Sequence, residues 1–110
     1  MKYVVCLHKE KLKMKIKNKY LLDKFEKKHA DSARALQKFI DIVEDAQWHN
    51  LSDIKTDFNS VDYVCNERYV FNIKGNNYRI IAVIIFIGDV FTIRFVGTHS
   101  EYNKINARTI

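Results

Sequence analysis

The fold is decided by residues 69–102, which read YVFNIKGNNYRIIAVIIFIGDVFTIRFVGTHSEY. Three extended runs rich in β-branched and aromatic residues follow one another here, and short segments with residues that tolerate positive φ separate them. The runs are residues 69–74, 78–87 and 90–96, and the separating segments are Gly75-Asn76-Asn77 and Gly88-Asp89. The short segments predict tight hairpins, and the nearly continuous apolar middle run predicts a central strand. The stretch therefore predicts a small antiparallel sheet.

A further element follows the third predicted strand. Residues 98–101 read THSE, in which a threonine is followed three positions later by glutamate. This is the capping-box pattern of a helix N-terminus. It predicts a short C-terminal helix that begins at Thr98, with His99 in its first turn and Tyr102 one turn later on the same face.

Helical periodicity dominates the first half of the chain. A first helix is predicted over about residues 19–28, because apolar residues recur there at helical spacing. Asp31 is the predicted N-cap of a second, strongly amphipathic helix. Asn50 is the predicted cap of a third, short helical segment. Helices followed by an antiparallel sheet predict the α+β class.

Size and charge limit the kind of molecule this is. The chain has 110 residues, 47% of them hydrophobic, which suits one compact domain. The net charge is +6, and residues 1–28 alone hold ten lysines and three acids. Such a run forms either a solvated face or a contact with a polyanion such as RNA. The longest apolar run is far short of the roughly 20 residues that a membrane helix needs, so we expect no membrane association.

Cysteine and histidine placement argues against a bound metal. Cys6 and Cys65 lie far apart, and no two histidines have the spacing of zinc ligands. Without a signal peptide, the expectation is a reduced cytoplasmic protein with two free thiols, and a Cys6–Cys65 disulfide is the alternative. We also find no glycine-rich phosphate loop, and we expect no cofactor.

Two arginines on neighbouring predicted strands form a candidate phosphate clamp. Arg79 and Arg94 carry guanidinium groups whose donors match phosphate oxygens. Arginines on strands also occur as ordinary surface residues, which is the alternative. By the two-residue period of a strand, Ile93 and Phe95 should share one face and Arg94 the other.

Further polar side chains lie close to this clamp in the sequence. His99 is a natural proton carrier near neutral pH, and Tyr102 can stack on a base or take part in proton transfer. Asn72 and Lys74 are the polar members of the first strand and should point to the same face, which is either solvated or an RNA groove. No carboxylate pair accompanies these groups. Basic and hydrogen-bonding residues alone suit cleavage of an RNA phosphodiester by its own 2′-OH, which needs no metal.

Three segments resemble the HigB toxins of bacterial type II toxin–antitoxin systems. They are residues 48–55 (WHNLSDIK), 70–79 (VFNIKGNNYR) and 94–105 (RFVGTHSEYNKI). The resemblance runs from Met14 to about Ile105. Family members tend to begin near Met14, so we expect residues 1–13 to be an N-terminal extension and residues 14–110 to be a single toxin domain.

The resemblance implies a RelE-like fold, with two N-terminal helices packed on a small antiparallel sheet. It implies an mRNA interferase, an endoribonuclease that acts on mRNA, often on translating ribosomes. It also implies a HigA-like helix-turn-helix antitoxin as partner.

The resemblance also suggests which residues act. Lys55, Asn72, Arg79, His99 and Tyr102 lie at family-like positions, with Lys74 and Arg94 as further candidates. The expected catalytic residues are His99, Arg79 and Tyr102, and the expected RNA-binding residues are Lys55, Asn72, Lys74 and Arg94. Two alternatives remain open: a ParE-like toxin that acts on gyrase, and an inactive binding or regulatory partner of an antitoxin.

Overall fold

A five-stranded sheet with the two longest helices packed on one face forms the centre of the protein in the computed structural model, which describes residues 13–110. In chain order the elements are β1 (Lys15–Lys17), α1 (Tyr20–Lys28), α2 (Ala33–Asp45), α3 (Leu51–Asp57), β2 (Asp62–Tyr63), β3 (Arg68–Ile73), β4 (Tyr78–Ile85), β5 (Val90–Thr98) and α4 (His99–Tyr102). The predicted α+β class is confirmed. Cys6 and nearly all of the predicted N-terminal extension lie outside the described residues, and Cys65 is a half-buried free thiol. No helix in this part of the chain is long and apolar enough to cross a membrane.

The sheet is mixed, so the prediction of an antiparallel sheet was wrong at one edge. The strand order is β1-β5-β4-β3-β2. The three central strands are joined by hairpins and run antiparallel, as predicted. Strand β1 pairs in parallel with the first part of β5, Lys15 opposite Val90 and Lys17 opposite Thr92. Hairpin signals identify only strands that are neighbours in the chain, and a three-residue strand with two lysines carries little apolar pattern of its own.

Alternate residues of the central strands face α1 and α2 and form the core. Phe71, Ile80 and Phe91 are buried on this face, together with Phe39 from α2. The Phe39 ring lies 5.3 Å from the Phe71 ring and 5.8 Å from the Phe91 ring. Aromatic pairs at these separations add to the stabilisation from burial alone. The apolar stripe of the amphipathic helix therefore packs on the sheet.

The two predicted helix caps have different outcomes. Asn50 caps α3, since its side chain accepts a hydrogen bond from the Asp53 N–H at 2.9 Å. The prediction that Asp31 caps α2 was wrong, because a 3-10 turn over Ala30–Ser32 precedes the helix and no side chain caps it. The Asp31 carboxylate instead accepts hydrogen bonds from Lys74 and Tyr78. The Asp31 side chain, which the local pattern predicted to cap α2, makes a tertiary contact instead.

Both predicted hairpin turns are confirmed. In the first, the Asn77 N–H donates to the Lys74 carbonyl at 3.2 Å, and the backbone is left-handed at Lys74 and Gly75. In the second, Gly88 and Asp89 have positive φ. Lys74 therefore belongs to a turn and not to the strand. The two-residue period of a strand does not apply to it, so it does not place the Lys74 side chain on the same face as Asn72.

A β-bulge changes which residues of β5 face the helices. Ile81 lies opposite Phe95, whereas the next residue of β4, Ala82, lies opposite Ile93. Arg94 is therefore the extra residue between two registered pairs. The prediction that Ile93 and Phe95 share a face was wrong for this reason. Ile93 belongs to the core, and Phe95 points to the face away from α1 and α2.

Candidate functional site

The candidate site lies on the sheet face that points away from α1 and α2, where β4, β5 and α4 meet. Asn72, Arg79 and Gly97 lie opposite one another on three neighbouring strands. Residues directly opposite in antiparallel strands project to the same face. Two residues away along the same three strands, an apolar surface beside this polar row is formed by Val70, Ile81 and Phe95.

Arg79 and Tyr102 are in direct contact across this face. The Arg79 guanidinium carbon lies 4.6 Å from the centre of the Tyr102 ring, a cation–π geometry. The Phe95 ring lies 6.5 Å from Tyr102 on the same face. The Arg79 Nε is buried and has no hydrogen-bond partner among residues 13–110. A buried donor on a cation is costly to leave unpaired, so this guanidinium is suited to an anionic ligand.

Helix α4 is held against the sheet by the predicted capping box, which is confirmed. The Thr98 Oγ1 accepts from the Glu101 N–H at 3.2 Å, and the Glu101 carboxylate accepts from the Thr98 N–H at 2.8 Å. The hydrogen bond from the Thr98 backbone lowers the pKa of the Glu101 carboxyl. This box fixes the residue at which α4 begins, so it positions His99 and Tyr102, the two predicted site residues of the helix.

Gly97 lets α4 approach the strand. A Cβ at this position would lie 2.5 Å from the Phe95 ring and 3.0 Å from the Glu101 Oε1. The first distance is shorter than side chains tolerate, and the second falls on the acceptor of the capping box. Sequence reasoning missed this role, although a glycine inside a strand often signals a bulge or a close approach.

His99 is exposed at the start of α4, and its ring has one hydrogen-bonding neighbour within residues 13–110. The Asn103 Nδ2 lies 3.3 Å from the His99 Nδ1. An amide nitrogen only donates, so with the amide in this orientation Nδ1 accepts, and the neutral ring carries its proton on Nε2. With the amide turned so that its Oδ1 accepts from Nδ1–H, Nε2 of the neutral ring is unprotonated and can take a proton from a ligand. Asn103 was not among the predicted site residues.

Of the predicted RNA-binding residues, only Asn72 lies next to Arg79. Lys74 forms an ion pair with Asp31 at 2.7 Å. Lys55 is exposed on α3, and no contact within residues 13–110 joins it to Arg79. Asn72 is half-buried next to Arg79 and donates to a serine hydroxyl at 3.4 Å. Asn72 is therefore the one predicted RNA-binding residue in the Arg79 row.

Arg94 faces a different part of the surface from Arg79. It is exposed on the bulge and lines a groove beside α1. No described contact connects the two guanidinium groups, and the two-arginine clamp stays a prediction.

A polar cluster links the α1–α2 junction to the sheet. Lys74 and then Tyr78 lower the pKa of the Asp31 carboxyl by hydrogen bonding to its charged form. The same hydrogen bond raises the pKa of Tyr78. Because Tyr78 lies opposite Thr98 in the sheet, the cluster supports the strand end from which α4 starts. Within residues 13–110, no group of three histidine, cysteine or acidic side chains could hold a metal ion.

Comparison with known proteins gives one family and several relatives. Residues 32–105 match the model of the HigB toxin family, the RelE-like toxic component of a toxin–antitoxin system. The chain is 28% identical over 94 residues to the mRNA interferase HigB of Escherichia coli O6:H1 strain CFT073, which covers 84% of this chain and 91% of that protein. It is 40% identical over 42 residues to the mRNA interferase toxin HigB of Escherichia coli K12, covering 38% of this chain and 40% of that protein. An mRNA interferase HigB of Shigella flexneri matches to the same extent.

Proposed function

This chain belongs to the HigB toxin family, and from that premise we propose that it is the endoribonuclease toxin of a type II toxin–antitoxin system, an mRNA interferase. The observation that carries the proposal is the Arg79 guanidinium stacked on Tyr102 beside a histidine-bearing helix start. A fixed cation with a buried, unpaired donor suits the phosphate of RNA, and the adjacent histidine suits proton transfer.

The proposed reaction is attack of the RNA 2′-OH on the neighbouring phosphorus. The 2′ oxygen loses its proton as it bonds to phosphorus, the bond to the 5′ oxygen breaks, and the leaving oxygen gains a proton. The products are a 2′,3′-cyclic phosphate and a 5′-OH end. Three tasks result: removal of one proton, supply of another, and stabilisation of the extra charge on the five-coordinate phosphorus.

We assign these tasks to residues of the Arg79 row and α4. Arg79 binds the oxygens of the scissile phosphate, and the Tyr102 ring holds its guanidinium in place. His99 takes the 2′-OH proton, or supplies the proton to the leaving 5′ oxygen, at its Nε2, with the Asn103 amide turned so that its oxygen accepts from Nδ1–H. Tyr102, which is half-exposed, also orients a nucleotide. Asn72 lies next to Arg79 and suits a contact to the RNA backbone.

The other predicted RNA contacts lie farther out on the surface. Lys55 and Arg94 are exposed cations and suit phosphates on either side of the scissile one. Lys74 reaches RNA only if its ion pair with Asp31 opens. These assignments extend the binding surface beyond the Arg79 row.

The biological setting follows from the family rather than from the geometry. We infer that a HigA-like helix-turn-helix antitoxin neutralises the toxin, that the mRNA is cut on the ribosome, and that both occur in the cytoplasm. We further propose that residues 14–110 are the RelE-like toxin domain, with its two N-terminal helices on one face of the sheet, and that residues 1–13 are an extension of it.

Induced expression of Arg79→Ala and His99→Ala variants tests the assignment. Each should relieve growth arrest and lower mRNA cleavage by about 10²-fold or more, the usual effect of removing a group that stabilises a transition state. Arg108→Ala is the matched control, because its exposed side chain makes no hydrogen bond or ion pair with residues 13–110. Circular dichroism checks that each variant is folded.

The outcome separates three functions. Loss of cleavage in both site variants, with a toxic control, supports the proposal. Normal cleavage by both overturns the site. DNA-damage signalling with intact mRNA in cells that express the unchanged protein would indicate a toxin acting on gyrase instead, and absence of any toxicity would indicate an inactive partner.

A further inference from the structure

A groove of about 520 Å³ lies between α1 and the second half of β5, beside the Arg79–Tyr102 contact rather than within it. Its walls come from Leu21, Lys24, Phe25, Lys27, Lys28, His29, Arg94, Phe95, Val96 and Glu101. Of the predicted site residues, only Arg94 belongs to this groove. The predicted nuclease site therefore does not account for this groove.

The floor of the groove is apolar, and none of the aromatic rings that line it is exposed: Phe25 is buried, while His29 and Phe95 are half-buried, the Phe95 ring lying 6.5 Å from that of Tyr102. Leu21 and Val96 are half-buried there, and Phe25 lies beneath them. The Phe25 ring is already stacked on His29 at 4.4 Å and meets the edge of Tyr78 at 5.1 Å. Single-stranded RNA typically stacks its bases on exposed aromatic rings. Aliphatic side chains of a peptide fit this floor better.

The rim of the groove is basic and only partly neutralised, since Lys28 interacts electrostatically with Glu101. Lys24, Lys27 and Lys28 make no ion pair with any of residues 13–110, whereas Lys13, Lys19 and Lys74 each pair with a carboxylate. Arg94 adds a fourth cation, and Glu101 is the one acid of the lining. An acidic ligand is complementary to this rim.

The strand that borders the groove also has an edge that no other strand of residues 13–110 covers beyond Ile93, whose carbonyl accepts a hydrogen bond from the Asn18 Nδ2 at 3.1 Å. Strand β1 covers β5 only as far as Thr92, and among residues 13–110 no strand lies beyond that point on the same side. The Thr98 N–H turns away from β4 and bonds Glu101. Backbone groups alternate in direction along an antiparallel strand, so those of Val96 also point into the groove. An extended peptide finds hydrogen-bonding groups there.

We propose that this groove binds an acidic, amphipathic, extended segment of a partner protein. Its acidic side chains pair with the α1 lysines, its alternate apolar side chains lie on Leu21 and Val96, and its backbone bonds Val96. Residues 1–12 of this chain carry three lysines and one glutamate, so they lack the charge to be the occupant. The inference rests on the proposed function in one respect, that a toxin of this class is neutralised by a protein partner.

Binding of a synthetic peptide to the full chain tests the proposal. The probe is a 12-residue peptide of alternating glutamate and valine, and its control has glutamine in place of every glutamate. The groove variant is Lys24→Glu with Lys28→Glu. The matched variant is Lys15→Glu with Lys38→Glu, two exposed lysines that lie outside the groove and make no ion pair within residues 13–110. Calorimetry gives the affinities, and a 12-residue single-stranded RNA is titrated in parallel.

The acidic peptide should bind the unchanged protein at least about tenfold more tightly than the glutamine peptide, since charge complementarity is the main source of selectivity. The groove variant should lose about tenfold or more of that affinity, and the matched variant less than about twofold. Equal losses in the two variants would overturn the proposal. So would a groove variant that loses RNA affinity while keeping peptide affinity, which would make the groove an RNA surface.

RNA cleavage by the same proteins keeps the two proposals apart. The groove variant should cleave mRNA as the unchanged protein does, because neither lysine belongs to the Arg79 row. Cleavage without peptide binding would defeat the groove inference alone. Peptide binding to a protein that cleaves no RNA would defeat the proposed nuclease alone.

Discussion

Replacing Gly97 by alanine should disturb both the stability and the activity of this protein. The added Cβ would lie 2.5 Å from the Phe95 ring and 3.0 Å from the Glu101 carboxylate. Phe95 is half-buried, so its ring moves at moderate cost, and overpacking of this kind costs about 1–3 kcal/mol. Retreat of Glu101 weakens its 2.8 Å hydrogen bond to the Thr98 N–H, in a cap worth about 1 kcal/mol.

One term acts in the opposite direction. The φ of Gly97 is not in the left-handed region, so alanine restricts the unfolded chain and stabilises the fold by about 0.4–1 kcal/mol. The net loss in the free energy of unfolding should be about 1–2 kcal/mol, measured by urea denaturation. Because Tyr102 holds the Arg79 guanidinium, a shift of α4 should lower RNA cleavage by about tenfold or more.

Gly75→Ala is the comparison variant. Gly75 has a φ of 68° and nothing within 4 Å of an added Cβ, so alanine there is strained but displaces no neighbour. It should cost about 1 kcal/mol of stability and leave cleavage unchanged. The reasoning is refuted if Gly97→Ala keeps its stability within about 0.3 kcal/mol and cleaves RNA normally. Equal activity losses in both glycine variants would show that stability alone, and not the position of α4, limits the enzyme.

Three further predictions concern caps, burial and pH. Thr98→Val should lower the free energy of unfolding by about 1 kcal/mol, while Thr98→Ser keeps the capping hydrogen bond and most of the stability. Trp48→Phe should lower the free energy of unfolding by about 1–2 kcal/mol, measured by urea denaturation. The reason is that the buried indole donates a hydrogen bond to Asp57 at 2.9 Å and that phenylalanine is smaller. Equal stability of the two proteins would contradict this. The folded-state pKa of Asp31 lies below its usual value of 3.8, so its contribution to stability is present above about pH 4 and is lost as the pH falls through the lowered value. Lys74→Met removes the largest cause of the lowered Asp31 pKa. The thermal midpoint of this variant should therefore fall less steeply than that of the unchanged protein on acidification below about pH 4. Equal dependence of the two midpoints on pH would show that the ion pair contributes nothing to stability.

Local sequence signals predicted most of the elements correctly because those elements depend on neighbours in the chain. The two hairpins need residues that accept positive φ, and Gly75 and Gly88 provide them. The capping box at Thr98 closes within four residues. Asn50 caps its own helix in the same way. Each of these was predicted from spacing alone and is confirmed.

Long-range contacts account for the errors. Asp31 had the right identity and position for an N-cap, but Lys74 and Tyr78 offered its carboxylate stronger partners from 43 and 47 residues away. The bulge at Arg94 depends on how β5 registers against β4, which a two-residue period cannot reveal. The mixed sheet arises because β1 pairs with a strand about 75 residues later in the chain. A single sequence contains no local record of such pairings.

The sequence by itself determined the class of fold, the hairpins, the helix start at His99 and the family to which this chain belongs, because these follow from short patterns of residue type. Only the tertiary structure decided which of the polar residues meet. It stacks Arg79 on Tyr102, leaves Arg94 beside the basic groove and takes Lys74 into an ion pair with Asp31. The reason is physical: a side chain's partners are set by strand register and by the face on which it emerges, and one extra residue in β5 changes both.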